Sequence, residues 1–598
     1  MSILERIAAR KRAEQEAGAE SGLKRLEEDN FLSRVRARKN HDILTETQRV
    51  VRLPVREYAG ADLTSKYRVA GGSWDLRPIQ SQALAALADA DGGLFSIGVG
   101  WGKTIIAFLA ARALGAQYAI ILVPASTAKQ MARMQAEIAT HFDVRPCTIV
   151  PYSKLSRAEG TRYLEQLLKD SGCADKDVVV VADEAHKLRY KTSARTKRVI
   201  RFLQAHEDVR FVAMSGTLTS KKLEDMGHLA EMALRDSSPL PRTGADLVAW
   251  GRCIDVDGEP GGADWVMVRP LWDRYNDDAL YSKRGMERKA MMRKAFSKRF
   301  RSSPGVVASE QGALGCSLEI HTRRLDVPEE LSRTYKQVKR SSTLPNEEPL
   351  EDDVAVWRAL KQISAGFYYI WDWPGEPDYE WWDAKREWGR NVRRELSVFA
   401  EEGYDSPLLV SNRVGREAIA GSRGAIHRAW LGWMGSGLNK RKAPPTKAIW
   451  LDSFVVDDAM AWVAQQSEPV ILWYQSKAME TALRERGLVV YGAGQEPPQQ
   501  GHTCAMSIAA HGVGKNLQHG WSKQLVLEMP SSGKVWEQLL GRTHRPGQEA
   551  DVVEVYIYEH TAAYKQAISK AVEDAKYIED TTGSKQKLLY CTYCEPTT

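Results

Sequence analysis

A chain of 598 residues with 43% apolar residues exceeds what one hydrophobic core organises, so two to four domains are expected. No run of 18 apolar residues occurs, which excludes a membrane-spanning helix, and the net charge of +7 permits a polyanionic partner without requiring one. The seven scattered cysteines and the charged start, Met1-Ser-Ile-Leu-Glu-Arg6, argue against a disulfide framework and a signal peptide, so a soluble cytoplasmic protein is expected.

Residues 1–50 hold 11 Lys/Arg and 9 Asp/Glu and are expected to be helical. The cluster Arg34, Arg36, Arg38 and Lys39 reads as a solvated face in preference to a nucleic-acid arm. Trp74-Asp-Leu-Arg-Pro-Ile-Gln80 is an extended entry into an amphipathic helix ending near Asp89. The Gln80 amide donates and accepts at once, which suits the edge of an adenine.

Phe95-Ser-Ile-Gly-Val-Gly-Trp-Gly-Lys-Thr-Ile105 follows as a buried strand, a glycine-rich turn and a helix start. Gly98, Gly100 and Gly102 let the backbone turn its N–H groups inward, and the helix N-terminus adds positive potential. That makes a phosphate cradle, in which Lys103 would reach the β- and γ-phosphates of ATP and Thr104 would bind Mg²⁺. Ile97 occupies the position of the pattern's first glycine.

Apolar strands are expected at 118–124, 147–150, 178–182 and 210–214, with a helix over 126–141. Strands apolar on both faces and alternating with helices imply a parallel sheet covered on both sides. The third strand runs into Asp183-Glu-Ala-His186. Carboxylates at a strand's C-terminal end sit where α/β sheets bind ligands. Asp183 would hold Mg²⁺, Glu184 would act as general base on water, and His186 would sense the γ-phosphate.

Gly-Lys-Thr104 followed 80 residues later by Asp183-Glu-Ala-His186 resembles motifs I and II of the superfamily-two helicases and translocases. Met214-Ser-Gly-Thr217 resembles motif III, which implies that Ser215 and Thr217 bind nucleic acid and couple it to the ATP state. Leu122-Val-Pro-Ala-Ser126 resembles motif Ia, which implies a nucleic-acid contact at Ser126. Leu76-Arg-Pro-Ile-Gln80 resembles the adenine-reading element.

Residues 221–442 hold 11 of the 18 tryptophans. Between Lys283 and Arg301 stand nine basic residues and one acid, Glu287. Phosphate-backbone contact and a solvated basic helix are the two readings of that run. Pro377-Asp378 and Asp383-Ala-Lys385 echo a nuclease signature but stand too close together for paired strands. Trp357, Trp371, Trp381, Trp382 and Trp388 are expected to pack a helical insert.

A second α/β unit is expected from about 443, with a helix opened by Thr446-Lys447-Ala-Ile-Trp450 and strands at 469–474, 488–491, 503–507, 524–528 and 552–558. Ser507-Ile-Ala-Ala-His-Gly-Val-Gly-Lys-Asn-Leu-Gln518 resembles motif V, with Gly512, Gly514 and Asn516 at nucleic-acid phosphates. Trp536-Glu-Gln-Leu-Leu-Gly-Arg-Thr-His-Arg-Pro-Gly-Gln548 resembles motif VI. Arg542 and Arg545 stand three apart, expected on one helical face, reaching across to the γ-phosphate. The endings of motifs V and VI resemble the SWI/SNF-type branch, whose members mostly move along duplex DNA without separating strands.

The expected fold is α/β, with two RecA-like parallel-sheet lobes joined by a largely helical insert. The expected division is a charged extension over 1–60, lobe 1 over 61–235, the Trp-rich insert over 236–442, lobe 2 over 443–560, and a brace helix with tail over 561–598. The resemblance implies an ATP- and Mg²⁺-dependent DNA translocase, and the compact length without chromatin-reading modules or a targeting signal leads to the expectation of a bacterial or phage source. The alternatives are a strand-separating helicase for forks or recombination intermediates, and a motor subunit of a restriction or defence assembly whose insert binds a protein partner. Cys591-Thr-Tyr-Cys594 supplies two thiols where structural zinc takes four ligands, so a thiol pair without metal is expected.

Overall fold

Six strands build the first sheet of the computed structural model: β1 (Gly93–Ser96), β2 (Tyr118–Val123), β3 (Cys147–Pro151), β4 (Val178–Asp183), β5 (Arg210–Ser215) and β6 (Val306–Ala308). All pairings are parallel, in the order β3-β2-β4-β5-β1-β6. The structure describes residues 45–594 except 57–59, 158–159, 161, 220, 276–287, 310–315, 349, 351–352, 402–406, 498–500 and 513–515. The basic cluster at 34–39, Gly514, and the basic run from Lys283 to Glu287 therefore lie outside the described residues.

β4 shows why an uninterrupted apolar run becomes a central strand. Val178, Val180 and Ala182 enter the core on one face of the sheet, and Val179 and Val181 enter the core on the other. Side chains alternate along a strand, so each face receives its own valines, and each burial contributes about 1.5–3 kcal/mol. The helices α1 (Pro78–Ala90) and α2 (Lys103–Ala113) cover the Val179 face, with Leu84, Leu87, Ile106 and Leu109 fully buried there.

The second sheet has seven strands in the order β11-β12-β10-β13-β14-β7-β15, again all parallel. They are β7 (Ser317–Arg323), β10 (Val470–Tyr474), β11 (Val490–Tyr491), β12 (Cys504–Ser507), β13 (Lys523–Val526), β14 (Val552–Tyr558) and β15 (Thr592–Cys594). The two parallel sheets with their covering helices are the two RecA-like lobes that the sequence led us to expect.

The stretch between motif III and residue 443 contributes more than helices. It supplies β6 to the first sheet, β7 to the second, and β8 (Phe367–Trp371). Residues 446–450, expected to open a helix, are instead the strand β9 (Thr446–Trp450), paired antiparallel with β8. Ile449 and Trp450 are strand formers that find partners in Tyr368 and Phe367, and the helix starts only at Phe454. Of the five tryptophans expected to pack the insert, Trp381 and Trp388 are buried, and the Trp381 ring centroid lies 6.0 Å from Trp373 and 5.6 Å from Trp433.

The solvated reading of the basic run describes only one side of helix α3 (Arg288–Arg301). Met292, Phe296 and Phe300 anchor it in the first lobe's core, and three of its basic side chains turn to backbone carbonyls while Arg288, Lys294 and Lys298 are exposed. Arg293 Nη1 donates to Ile254 O at 2.8 Å, Lys289 Nζ to Val256 O at 2.6 Å, and Arg299 Nη2 to Pro54 O at 3.1 Å. Arg299 has no exposed surface. Arg299→Ala is expected to lower the unfolding free energy by about 2 kcal/mol, because a charge-assisted bond is lost and a carbonyl is left unpaired. Urea unfolding beside a DNA-binding titration checks this. Weaker DNA binding at unchanged stability would restore the phosphate-contact reading.

Helix α4 (Gly533–Thr543) carries most of motif VI, and α5 (Ala562–Thr582) runs back across the molecule. Tyr564 Oη donates to Leu527 O at 3.0 Å in the second lobe, and Tyr577 Oη to Asp255 Oδ1 at 2.7 Å beside the first. Thus α5 ties both lobes together. Among the described residues no helix is long and apolar enough to cross a membrane.

Candidate active site

The glycine-rich loop leaves β1 and enters α2 with Gly100 at φ 90° and Gly102 at φ 78°. Both values lie in the region that only glycine adopts without strain. A Cβ on Gly102 would lie 2.1 Å from Gln80 Nε2, so the loop is closed against α1 as well. The Gln80 amide joins this loop to the start of its own helix: Nε2 donates to Gly102 O at 3.1 Å, and Oε1 accepts from Arg77 N at 2.7 Å. Arg77, which sequence reasoning passed over, donates from Nη1 to Gly100 O at 2.8 Å. Lys103 folds into the loop, donating from Nζ to Ile97 O at 3.0 Å and Gly98 O at 3.1 Å. Thr104 is the next residue of α2 and is half-exposed.

Asp183 and Phe95 stand level with the same residue of β5, Met214, so motif II ends beside the phosphate loop. Lys103 Nζ lies 3.8 Å from Glu184 Oε1. Glu184 holds φ 54° and ψ 49°, a left-handed backbone for a residue with a side chain. It heads the turn Ala185–Leu188, and the turn aims its carboxylate back at Lys103. Burial opposes ionisation of Glu184, but the Lys103 charge and the His186 hydrogen bond outweigh it and hold the carboxyl low. Asp183 shifts the other way, raised by burial and by the Glu184 charge. Its Oδ1 is buried and has no hydrogen-bond partner.

Motif III closes on motif II directly. Ser215 Oγ lies 2.9 Å from His186 Nδ1 and donates to Glu184 Oε2 at 3.3 Å, while Thr217 N donates to Ser215 Oγ at 3.2 Å. A Cβ on Gly216 would lie 3.3 Å from Gly98 Cα, so motif III also passes close to the phosphate loop. Ser215 has no exposed surface and Thr217 is 4% exposed. The expectation that they touch nucleic acid is therefore corrected: both hydroxyl residues sit inside the lobe, and Ser215 bonds motif II. Burial, helped by the Lys534 charge, lowers the His186 imidazole to about 3, so His186 is neutral. Ser126 is exposed at the C-terminal end of β2.

The second lobe brings cations to this loop. A Cβ on Gly100 would lie 3.1 Å from Arg545 Cβ, and one on Gly541 would lie 2.8 Å from Val99 Cβ. Arg545 Nη1 donates to Asn516 Oδ1 at 2.6 Å, which ties motif V to motif VI. Burial, with the neighbouring Arg77 charge, lowers Arg545 to about 10, and burial with Arg545 lowers Arg542 to about 9. The single helical face expected for these arginines is not formed. α4 ends at Thr543, and Arg545 lies beyond it, because Pro546 disfavours a helical residue before it and Gly547 turns at φ 90°. Gly512 closes the short helix of motif V at φ −63°.

Lys534, the second residue of α4, is a group that sequence reasoning missed. Burial lowers its ammonium to about 7 against the opposing pull of Glu184. No motif spacing marks it; only closure of the lobes brings it within electrostatic reach of Glu184.

A cavity of about 470 Å³ opens beside the loop, lined by Trp74, Arg77, Gln80, Gly100, Ile105 and Arg545. Its size falls within the range of small-molecule sites. No curated protein matches the chain. Residues 77–226 match the DEAD/DEAH box helicase family, so this part of the chain, from Arg77 through motifs I, II and III, is a helicase-type domain of the kind that powers ATP-dependent nucleic-acid motors.

Proposed function

We propose that the chain is an ATP-driven translocase of the SWI/SNF-like kind, acting on duplex DNA with both lobes. One observation carries this reading above all. Arg542, Arg545 and Lys534 of the second lobe converge on the phosphate loop and the Asp183–Glu184 pair of the first. Burial disfavours the charge of all three, and a nucleotide's phosphates between the lobes would favour it.

The residues fit a magnesium nucleotide. Glycines stand where a Cβ would fill the cradle, and the Asp183 Oδ1 atom is buried with no partner. Lys103 and the loop N–H groups would hold the phosphates, Thr104 and Asp183 the Mg²⁺, and the cavity beside Gln80 the base. Bound Mg²⁺-ATP supplies a cleavable phosphoanhydride and a cation that screens its charge. Glu184, held ionised beside Lys103, orients a water and takes its proton at a carboxylate oxygen. Ser215 touches both Glu184 and His186, so a movement of motif III alters the base directly. The preference for duplex DNA rests on the resemblance of Asn516-Leu-Gln518 and Gly541-Arg-Thr-His-Arg-Pro-Gly-Gln548 to the SWI/SNF-type motifs.

Steady-state ATPase with duplex DNA, single-stranded DNA, RNA or no polymer tests this reading. Stimulation by duplex DNA that rises with its length is expected. Stimulation by single strands or RNA alone would overturn the duplex assignment in favour of strand separation. No stimulation by any polymer would overturn the motor assignment for the isolated chain.

A further inference from the structure

The C-terminal strand carries a second cluster of chemically capable side chains, at the far edge of the second sheet. Parallel pairing of β15 with β7 sets Thr592 beside Glu319 and Cys594 beside His321. On the other side of β7, Glu554 pairs with Glu319 and Tyr556 with His321. The Tyr556 ring stacks on the His321 imidazole at 4.8 Å and 18°, which fixes the imidazole plane. One oxygen, Glu319 Oε2, lies 3.1 Å from His321 Nε2 and 3.8 Å from Cys594 Sγ. All three donor atoms lie within 4.8 Å of one another.

We propose that Glu319, His321 and Cys594 form a transition-metal site, best matched to Zn²⁺, that fastens β15 to the sheet. A thiolate, an imidazole and a carboxylate are the three donor types zinc takes. Bonds of about 2.0–2.3 Å at tetrahedral angles set donors roughly 3.3–3.8 Å apart, close to the two separations from Glu319 Oε2. Three protein donors leave a fourth position for solvent, consistent with the half-exposed cysteine. The Cys591-x-x-Cys594 spacing misleads: the Cys591 thiol donates to Leu588 O at 3.2 Å and is not one of the three donors. The ligands come from two strands nearly 270 residues apart in sequence, so no local motif announces them.

The site has a mechanical consequence. Just before β15, Lys587 N donates to Glu537 Oε2 of α4 at 2.7 Å. The same tail segment lines a small cavity with Gly98 and Trp101 of the phosphate loop. A metal at Cys594 therefore anchors the far end of a strap that lies against motif VI.

The test uses the full chain, stripped with a chelator, and Co²⁺ as the probe. One equivalent is expected to give a thiolate-to-cobalt charge-transfer band and the visible absorption of a four-coordinate ion, both displaced by Zn²⁺. Cys594→Ser is expected to abolish the charge-transfer band and, like His321→Ala, to weaken Co²⁺ binding at least about tenfold. Cys591→Ser should leave band and affinity unchanged. Zn²⁺ should raise the melting temperature of the parent chain and of Cys591→Ser, but not of Cys594→Ser. A featureless Co²⁺ titration, or a band that follows Cys591, would overturn the proposal, and circular dichroism confirms that each variant is folded.

Discussion

Arg545→Ala is expected to lower kcat for ATP hydrolysis by about 10³-fold or more while nucleotide affinity stays within about threefold. The expectation follows from where the guanidinium stands. Its Cβ faces Gly100 of the phosphate loop, Nη1 is held by Asn516, and Nε is buried with no partner. An arginine so placed has hydrogen-bond capacity left over for an anion. On the proposed function the ground-state contacts of a nucleotide would belong mainly to the first lobe, through Lys103 and the loop backbone. The charge that develops during phosphoryl transfer is what a cross-lobe arginine stabilises, so its loss falls on kcat and leaves binding almost untouched. A thousandfold fall corresponds to about 4 kcal/mol of transition-state stabilisation. Arg545→Lys is expected to recover little, because an ammonium lacks the planar fork. ATPase kinetics beside equilibrium binding of a fluorescent nucleotide decide the matter. Equal losses in both would make Arg545 a ground-state ligand, and no loss in either would remove it from the chemistry.

The same arginine marks a boundary between what sequence could and could not convey. Its identity was legible from motif VI, but its position was not. Three-residue spacing suggests a shared helical face, whereas Pro546 ends the helix and sends Arg545 along a different path from Arg542. Strands such as β4 were legible because an apolar run split between two faces needs no distant partner to explain it. β9 was not legible, since its partner β8 lies some 75 residues earlier and a five-residue segment holds no period of its own. The buried side of the basic run was missed for a related reason. Charge density is local, but the carbonyls of Ile254, Val256 and Pro54 that receive those side chains are set by tertiary packing. Lys534 and the Glu319–His321–Cys594 cluster exist only once lobes and strands have come together.

Glu184→Gln is expected to lower kcat by about 10²–10⁴-fold and to leave the fold and nucleotide binding intact. Glutamine has nearly the same shape, so the tight setting among Lys103, His186 and Ser215 is kept. What disappears is the carboxylate that, on the proposed function, accepts a proton. The backbone reinforces the assignment. A left-handed glutamate costs about 1–3 kcal/mol, and such strain persists where the surroundings over-determine it. Here β4, the turn Ala185–Leu188 and the buried Ser215 hydroxyl together hold the carboxylate toward Lys103. The substitution also removes one of the causes that raise Asp183, so the Asp183 carboxyl moves back toward its ordinary range and ionises more readily beside Lys103. Nucleotide and Mg²⁺ affinity should therefore hold or tighten even as turnover collapses. That pairing of effects separates a lost base from a damaged site. A variant that still turns over within about threefold of the parent would show that another group takes the proton, and Asp183, the neighbouring carboxyl with a buried and unpartnered oxygen, would be the next to replace.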